Sequence, residues 1–576
     1  MPIENAEVAR LFREVADLLE LQGENAFRVR AYQTAARTLE ELPEPVEDLV
    51  RGNGKRLTDL PGIGEDLAGK IGEIVRTGTL GALRQLRREV PKGLPDLMRI
   101  RGVGPKRARA LYDALGIRTV AQLERGCRAG KVRRLPRFGA RTEDNILREL
   151  AIQRAGEHRM LRSVAAQYGE AFLRYLQAVD GVERAEIAGS YRRRQETVGD
   201  LDILVTCRRG TKVMERFTEY PEVEEILEEG GTRASVRLHA GLQVDLRVLP
   251  EESYGAGLYY FTGSKAHNIA VRRLGQQRGL RINEYGVYRG RRRIGGRDEH
   301  EVVASVGLPW IPPELRENRG EIEAALEGKL PRLVECSDIR GDLQTHTTDS
   351  DGRDTLAAMA QAAEDLGYEY LAVTDHTPAV RVATGLDRAG FSRQMRRIDR
   401  LNASLRKLTV LKGAEVDIHS DGTLDLDDAT LAALDLVVVS VHSGFDLSER
   451  AQTERVLRAL RHPSVDVLAH PTGRLIGRRG AIRLDLEQVC RVAAEHGILL
   501  EVNAQPDRLD LDDLAVHAAL GWGATLVIST DAHAVAELGF MRWGVDQARR
   551  GWAVKDRVAN TRALERLLRL LHRGRR

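Results

Sequence analysis

Cysteine is scarce in this sequence. Its 576 residues hold four, Cys127, Cys207, Cys336 and Cys490, and no two are close enough to form a Cys-x-x-Cys pair. That excludes a zinc knuckle and a disulfide framework, and it suits a reducing compartment. No apolar run is long enough to cross a bilayer, and the opening residues, MPIENAEVAR, lack the apolar core of a secretory signal, so the expected location is cytoplasmic, in association with the nucleoid. Net charge is also small, at +4, but it is unevenly spread. Residues 1 to 150 carry 28 Lys and Arg against 22 Asp and Glu, and residues 101 to 150 alone carry 13 against 5. A basic front suits a surface that meets polyphosphate, although charge alone fits a solvated helix face equally well. What is plentiful is length, together with 42% hydrophobic and 30% charged residues. The chain therefore reads as soluble, globular and too long for one core.

Residues 5 to 21 place Val8, Leu11, Phe12, Val15, Leu18 and Leu19 at helical spacing, and residues 27 to 42 continue in that style. Three Gly-centred turns follow as an internal repeat: LPGIGEDLAGKI at 60 to 71, IRGVGPKRARAL at 100 to 111 and LPRFGARTEDNI at 135 to 146. Such a turn between helices exposes backbone N–H groups at a helix N-terminus, where they hold a phosphate without reading its base. One turn alone is an ordinary feature of packed helices. Two close matches, at Gly62/Gly64 and Gly102/Gly104, with a looser third at Gly139 and with Lys106 beside the second, resemble helix-hairpin-helix DNA-binding motifs.

From 182 the pattern turns to β-branched and alternating segments, VERAEIAGS, LDILVTC, SVRLHAG and LQVDLRVLP, which predict an antiparallel sheet. In GSYRRRQETVGDLDILV, Asp200 and Asp202 are two apart on a predicted strand and project from one face, and Asp245 in QVDLRVLP sits on another strand able to lie beside it. Three carboxylates on one face repel unless cations sit among them. Two magnesium ions roughly 4 Å apart, bridged by such acids, serve nucleotidyl transfer. Upstream, Gly189 and Ser190 offer a close approach to a triphosphate, and Arg193 offers it a counter-charge. A lone Asp-x-Asp would be a surface strand; the Gly-Ser turn and the third acid favour nucleotidyl transfer.

GSYRRRQETVGDLDILV, VDLRVLP and YFTGSKAHNIAVRR resemble the palm and thumb motifs of the family X DNA polymerases, in order and with family-like spacing over about residues 1 to 317. The resemblance implies that Asp200, Asp202 and Asp245 bind Mg2+ or Mn2+ and that Ser190, Arg193 and Gly199 bind the incoming dNTP. It also implies that Tyr260, Phe261 and Gly263 line the sugar, and that Asn268 and Arg272 reach the minor groove. Val198 departs from the family by replacing a hydroxyl residue, and Gln243 by replacing an arginine. The N-terminal helices resemble the family's small lyase domain, with Lys70 at the Schiff-base position and Asp66 where a supporting lysine is expected.

After the prolines of GLPWIPPELRE and a charged, helix-like stretch, apolar strands alternate with amphipathic helices: YLAVTDH, LTVLKGAEVD, DLVVVSVHS, VDVLAHPTG, ILLEVNA and TLVISTDAH. The alternation predicts a parallel α/β barrel or a doubly wound sheet. His346, Asp351, His376, Glu415, His442, His470, Asp531 and His533 recur at or near strand ends, where a catalytic barrel collects its site. Mixed imidazole and carboxylate suits Mn, Zn or Fe and phosphodiester hydrolysis. The set resembles the PHP (polymerase and histidinol phosphatase) domain, a distorted TIM-like barrel, over about residues 336 to 576. The resemblance implies Mn2+ and/or Zn2+ on those eight residues, with Gln344 at the ninth ligand position, and the segment HPTGRLIGRRG places Arg474 near the expected rim as a phosphate contact.

The expected organisation is multidomain: a helical helix-hairpin-helix domain at 1–80, a second at 81–150, an α+β nucleotidyltransferase palm at 151–250, a thumb at 251–317, a linker at 318–335 and the PHP barrel at 336–576. The expected function is a monomeric gap-filling DNA polymerase acting on primer-template DNA and dNTPs, with 3′ to 5′ trimming in the barrel. A small-phosphate phosphatase and a DNA-end-binding scaffold remain as rivals.

Overall fold

The structure, a computed structural model, describes residues 5–40, 42, 46–50, 57–90, 93–98, 100, 103–136, 138–154, 159–208, 212–379 and 384–571. The predicted N-terminal helices are Asn5–Gln22 and Ala26–Glu40. They meet through Phe12 and Tyr32, edge to face at 5.3 Å. One cluster of buried apolar residues runs from Val8 to Leu150, so the two helical regions share a core. Each Leu or Phe fully buried there contributes ~1.5–3 kcal/mol. Gly62 turns the chain with φ of +72°, and a Cβ there would lie 2.6 Å from Thr34 Cγ2, so this turn requires glycine. Gly64 and Gly104 are the N-caps of helices Glu65–Thr77 and Pro105–Leu115, and Gly139 directly precedes helix Ala140–Arg154. Lys106 is exposed. Gly102 lies outside the described residues.

A short antiparallel ladder, β1 (Met160–Leu161) with β3 (Thr197–Val198), ties the entry of the palm to its nucleotide loop. The palm sheet comprises β2 (Val182–Ile187), β4 (Asp200–Cys207), β5 (Val223–Glu229), β6 (Arg233–Leu238) and β7 (Gln243–Leu249) in the order β2-β4-β7-β6-β5. It is mixed rather than antiparallel as expected, because β4 and β7 run parallel. The chain leaves β4 for the far edge, and two reversals, β5 to β6 and β6 to β7, bring it back beside β4 in the same direction. The thumb follows, with helices Tyr254–Thr262 and Lys265–Gln277 and an antiparallel sheet of β8 (Leu280–Asn283), β9 (Gly286–Arg289) and β10 (Arg292–Gly295).

The stretch expected as a linker packs against the thumb. Its helix is short, Glu321–Leu326, and Ile322, Ala325 and Leu333 are buried in the thumb core. Glu321 and His267 are both buried and meet at 2.6 Å.

Seven parallel strands then build the C-terminal barrel in sequence order: β11 (Gly341–Thr345), β12 (Tyr370–Val373), β13 (Thr409–Asp417), β14 (Leu436–Ser440), β15 (Val467–Leu468), β16 (Leu499–Asn503) and β17 (Thr525–Ser529). A parallel bridge from Thr345 to Ala532 brings the first strand to the last, nearly closing the ring. Strands buried on both faces read as continuous apolar runs, as LVVVS and TLVIS do.

Helix Met541–Arg550 of the barrel docks on the palm and thumb. Asp546 accepts from Arg162 at 2.7 Å and pairs with Arg194. Arg550 donates to the Arg193 carbonyl at 2.7 Å and to Glu317 at 3.1 Å. Arg162 lies 4.5 Å over the Trp543 ring, beside an apolar patch of Ala166, Leu509 and Trp543. Removing one partner of such a buried pair typically costs about 3–5 kcal/mol, so these contacts fix the barrel against the palm.

Candidate active sites in the palm and the barrel

The parallel pairing of β4 with β7 sets Asp202 directly opposite Asp245 and Asp200 opposite Gln243, so all four side chains share one face. Asp245 is buried and accepts from Ser235 Oγ and, at 3.2 Å to each oxygen, from Gln243 Nε2. Burial, with Asp200 and Asp245 nearby, pushes Asp202 up to about 7, and burial with Asp245 raises Asp200. Carboxyls held this far from their ordinary range are electrostatically short of positive charge. Three carboxylates on one face of the sheet are hard oxygen donors that fit divalent cations, whose charge would reverse the shift.

Gly189 sits against this cluster with φ of +63°, and a Cβ there would lie 2.4 Å from Asp202 Oδ2. Only glycine lets the nucleotide loop approach the acids this closely. Ser190 follows it, and Arg193 donates to Glu317 at 3.0 Å and to the Thr262 carbonyl at 2.5 Å. Gly263 closes the same corner, 3.1 Å from Arg193 Nη1 to a Cβ placed on it. Gly199 lies between β3 and β4, and Tyr260 meets Phe261 edge to face at 5.2 Å. Asn268 donates to the Tyr260 carbonyl at 2.7 Å, its own Oδ1 buried without a partner, and Arg272 is exposed on its helix. Val198 is fully buried in the palm core, away from solvent. Sequence reasoning missed Arg247, two residues past Asp245 on β7, whose charge opposes the rise at Asp202 and whose guanidinium lies 5.2 Å over the Phe261 ring. The alternation Asp245, Arg247 was the available signal.

In the N-terminal region, Lys70 pairs with Asp66 and lies 5.3 Å over the Tyr32 ring. Burial works to lower its pKa, but hydrogen bonds to Asp66 and Tyr32 outweigh it and raise the value, which favours the ammonium.

The barrel brings together all eight residues of its expected set. Glu415, on β13, is the hub: His346 and His376 approach its Oε2 at 3.3 and 3.4 Å, and His470 and His442 its Oε1 at 3.1 and 3.4 Å. Asp531 meets His346 at 3.1 Å, while Asp351 meets His533 at 3.4 Å and His376 at 3.5 Å. Three groups of converging ligand atoms result, one of His346, Asp351, His376 and His533, one of His376, Glu415 and His442, and one of His346, Glu415 and Asp531, each pair of groups sharing one residue. His346 Nδ1, His376 Nδ1, His470 Nδ1 and Glu415 Oε2 are buried without a hydrogen-bond partner. Orphaned imidazole and carboxylate atoms at this density fit transition-metal ions. His470 and Asp531 hold positive φ, 27° and 54°, backbone strain of the kind that functional sites retain.

Burial opposes charge throughout this site, yet Glu415 falls well below its ordinary range because His376, His346 and His470 surround it. Burial would lower His346, but its hydrogen bond with Asp531 and the proximity of Glu415 raise it well above the imidazole range. His376 is pushed down to about 4 by burial. Gln344 is 1% exposed and its Nε2 lies 3.4 Å from Asp531 Oδ1, leaving its Oε1 buried without a partner. An uncharged amide therefore stands at the corner of the His346, Glu415 and Asp531 group.

Arg474 is not at the rim. It pairs with Glu196 of the palm at 2.5 Å and donates to the Leu509 carbonyl at 2.7 Å, because the loop after β15 turns toward the palm. The cation at the cluster is Arg508, 3.9 Å from Asp531. Supporting residues also went unread in the sequence. Asp417 meets His442 Nδ1 at 3.3 Å, Asp375 anchors the first loop through Thr347 at 2.7 Å, and Glu501 accepts from the His470 backbone at 2.6 Å. Asp417 and Asp375 stand within two residues of a ligand in GAEVD and TDH, which was the signal.

Residues 3–80 match the helix-hairpin-helix domain family and 94–151 the SAM-like helix-hairpin-helix tandem. Residues 159–254 match the DNA polymerase beta palm, 257–317 the DNA polymerase beta thumb and 342–505 the PHP domain. The chain is 37% identical over 564 residues to the DNA polymerase/3′-5′ exonuclease PolX of Bacillus subtilis, covering 97% of this chain and 98% of that protein. It is 27% identical over 347 residues to DNA polymerase lambda of Arabidopsis thaliana, covering 54% and 62%. It is also 27% identical over 231 residues to a probable phosphatase of Thermoanaerobacter sp., covering 38% and 89%.

Proposed function

Because this chain belongs to the family X DNA polymerases that carry a C-terminal PHP domain, we propose that it extends DNA 3′ ends in the palm, trims them in the barrel, and fills short gaps in DNA repair. The observation that carries this reading is the coexistence, on one chain, of three carboxylates on one face of the palm sheet and a largely buried cluster of five imidazoles and three carboxylates in the barrel.

In the palm, Asp200, Asp202 and Asp245 would hold Mg2+ or Mn2+, which supply charge to activate the primer hydroxyl and to neutralise the triphosphate. Gly189 keeps the loop backbone close to these acids, and Ser190, Gly199 and Arg193 take the phosphates. Arg193 enters with its orientation fixed by Glu317 and the Thr262 carbonyl. Tyr260, Phe261 and Gly263 bound the sugar; Asn268 and Arg272 meet the minor groove. The turns at Gly62, Gly64 and Gly104, with Lys106, grip the backbone of the DNA. A Schiff base needs a neutral amine, and Asp66 stabilises the charged one, so we assign Lys70 to phosphate binding rather than lyase chemistry.

In the barrel, His346, Asp351, His376, Glu415, His442, His470, Asp531 and His533 would hold Mn2+ and/or Zn2+, which supply a nucleophilic water to the 3′-terminal phosphodiester. Arg508 takes the scissile phosphate, and Asp417 fixes His442. The chain acts as a monomer in the cytoplasm, on nucleoid DNA.

Primer extension on gapped DNA tests the palm: Asp200→Ala with Asp202→Ala should lose incorporation by on the order of a thousand-fold. Undiminished incorporation would sink the assignment. For the barrel, labelled 3′ ends followed with Mn2+ should persist in His376→Ala and Asp531→Ala; continued trimming would place that activity elsewhere.

A further inference from the structure

The cleft at the barrel mouth is larger than the ligand cluster alone requires. It measures about 970 Å3, and Phe445, Leu475 and Arg479 line it together with Asp351, His376, Glu415, His442 and Asp531. That volume is at the upper end for a small-molecule site and suits a nucleotide better than a simple phosphate ester. Phe445 follows His442 by three residues. The Arg479 guanidinium lies 4.0 Å over its ring, closer than any other such stack among the described residues. Arg479 Nε donates to the Gly473 carbonyl at 2.8 Å, and Gly473 packs the ring edge so closely that a Cβ there would stand 3.4 Å from Phe445 Cε1. The guanidinium is thus held on the ring, is half-buried and borders the cleft, which Arg508, beside Asp531, also lines. Two cations and an aromatic ring in one cleft with a phosphodiester-cleaving cluster form a built surface for a nucleotide.

We propose that the Phe445–Arg479 stack is a shelf for the nucleobase of a single-stranded 3′ terminus. This rests on the exonuclease reading and adds the feature that separates a DNA strand from a small phosphate. A guanidinium plane stacks any base, as trimming without sequence preference requires, and a base lying on it is withdrawn from pairing.

The test uses the full chain and an oligonucleotide ending in 2-aminopurine, bound in EDTA, together with Mn2+-dependent kinetics on that oligonucleotide and on bis(p-nitrophenyl) phosphate. Stacking should quench the terminal fluorophore in the parent protein. Phe445→Ala and Arg479→Ala should relieve the quench, and Phe445→Trp should retain it. In the two alanine variants the ratio of kcat/KM for the oligonucleotide to that for the small ester should fall about ten-fold, in keeping with base stacking of ~1–3 kcal/mol. An equal loss on both substrates, or an unaltered quench and ratio, overturns the shelf and leaves the exonuclease reading standing. A parent protein that turns over the small ester but no oligonucleotide overturns both.

Discussion

In the palm, Asp202 faces Asp245 with Asp200 beside it, and no imidazole among the described residues answers them; in the barrel, Glu415 is ringed by four imidazoles at 3.1–3.4 Å. The same group, a carboxyl short of water, half-buried in the palm and fully buried in the barrel, is therefore held in opposite states. Asp202 is pushed up to about 7, whereas Glu415 is drawn well down. The palm waits for charge that arrives with its substrate, since a triphosphate brings cations with it. The barrel supplies much of its own compensation and stands assembled before any substrate comes. One site is built around a deficit, the other around a balance.

The strongest way to break this contrast is to remove an acid from each. Glu415→Gln should abolish 3′ trimming and destabilise the barrel by ~3–5 kcal/mol, read by denaturant unfolding, because the buried His346 loses a counter-charge. Asp202→Asn should abolish primer extension and leave the metal-free protein at least as stable as its parent, since it deletes a repulsion. Equal destabilisation by the two would dissolve the comparison.

A subtler effect lies in pH. Asp202 has a folded-state pKa above its unfolded value, so the stability it lends is full below about 4 and is lost as pH rises toward about 7. Metal-free protein should accordingly lose melting temperature between pH 5 and pH 8 more steeply than Asp202→Asn does, and Mg2+ should remove most of that difference. Parallel curves for the two proteins would contradict it.

Smaller still is the change at Gln344. Gln344→His should raise metal content at the barrel and tighten its affinity by about ten-fold, with faster trimming, measured by metal analysis after dialysis. No change in bound metal would show that the amide corner is not a ligand position. The least effect belongs to Arg272→Ala, exposed on the thumb, which should weaken primer-template binding only a few-fold and flatten its salt dependence.

Much of both sites was legible because spacing carries direction. Asp-x-Asp on an alternating strand had to place Asp200 and Asp202 on one face, and ligand-type residues at successive strand ends had to converge once the strands ran parallel. Register was not legible: that Asp202 meets Asp245 depends on β4 and β7 being parallel, and local alternation contains no information about a crossover. Arg474 shows the other limit. It stands four residues after His470, yet its loop folds outward to Glu196, while Arg508, distant in sequence, reaches the cluster. The hydrogen bonds that hold ligands in place, from Asp417, Asp375 and Glu501, depend on distances no pattern encodes. The packing of the expected linker, 318–335, was illegible for a related reason, since its charged pattern contains no sign that Glu321 is buried against His267.

The contacts of helix Met541–Arg550 with Arg162, Arg193, Arg194 and Glu317 bear on traffic between the two centres. With the barrel pinned to the palm, no arm among the described residues stands ready to carry a primer terminus from synthesis to removal. The terminus has to travel by its own fraying, and a mispaired end frays more readily than a paired one. Discrimination between the two fates is in this way delegated to the DNA, and the distance between the fixed centres sets how many pairs must open before an end is trimmed.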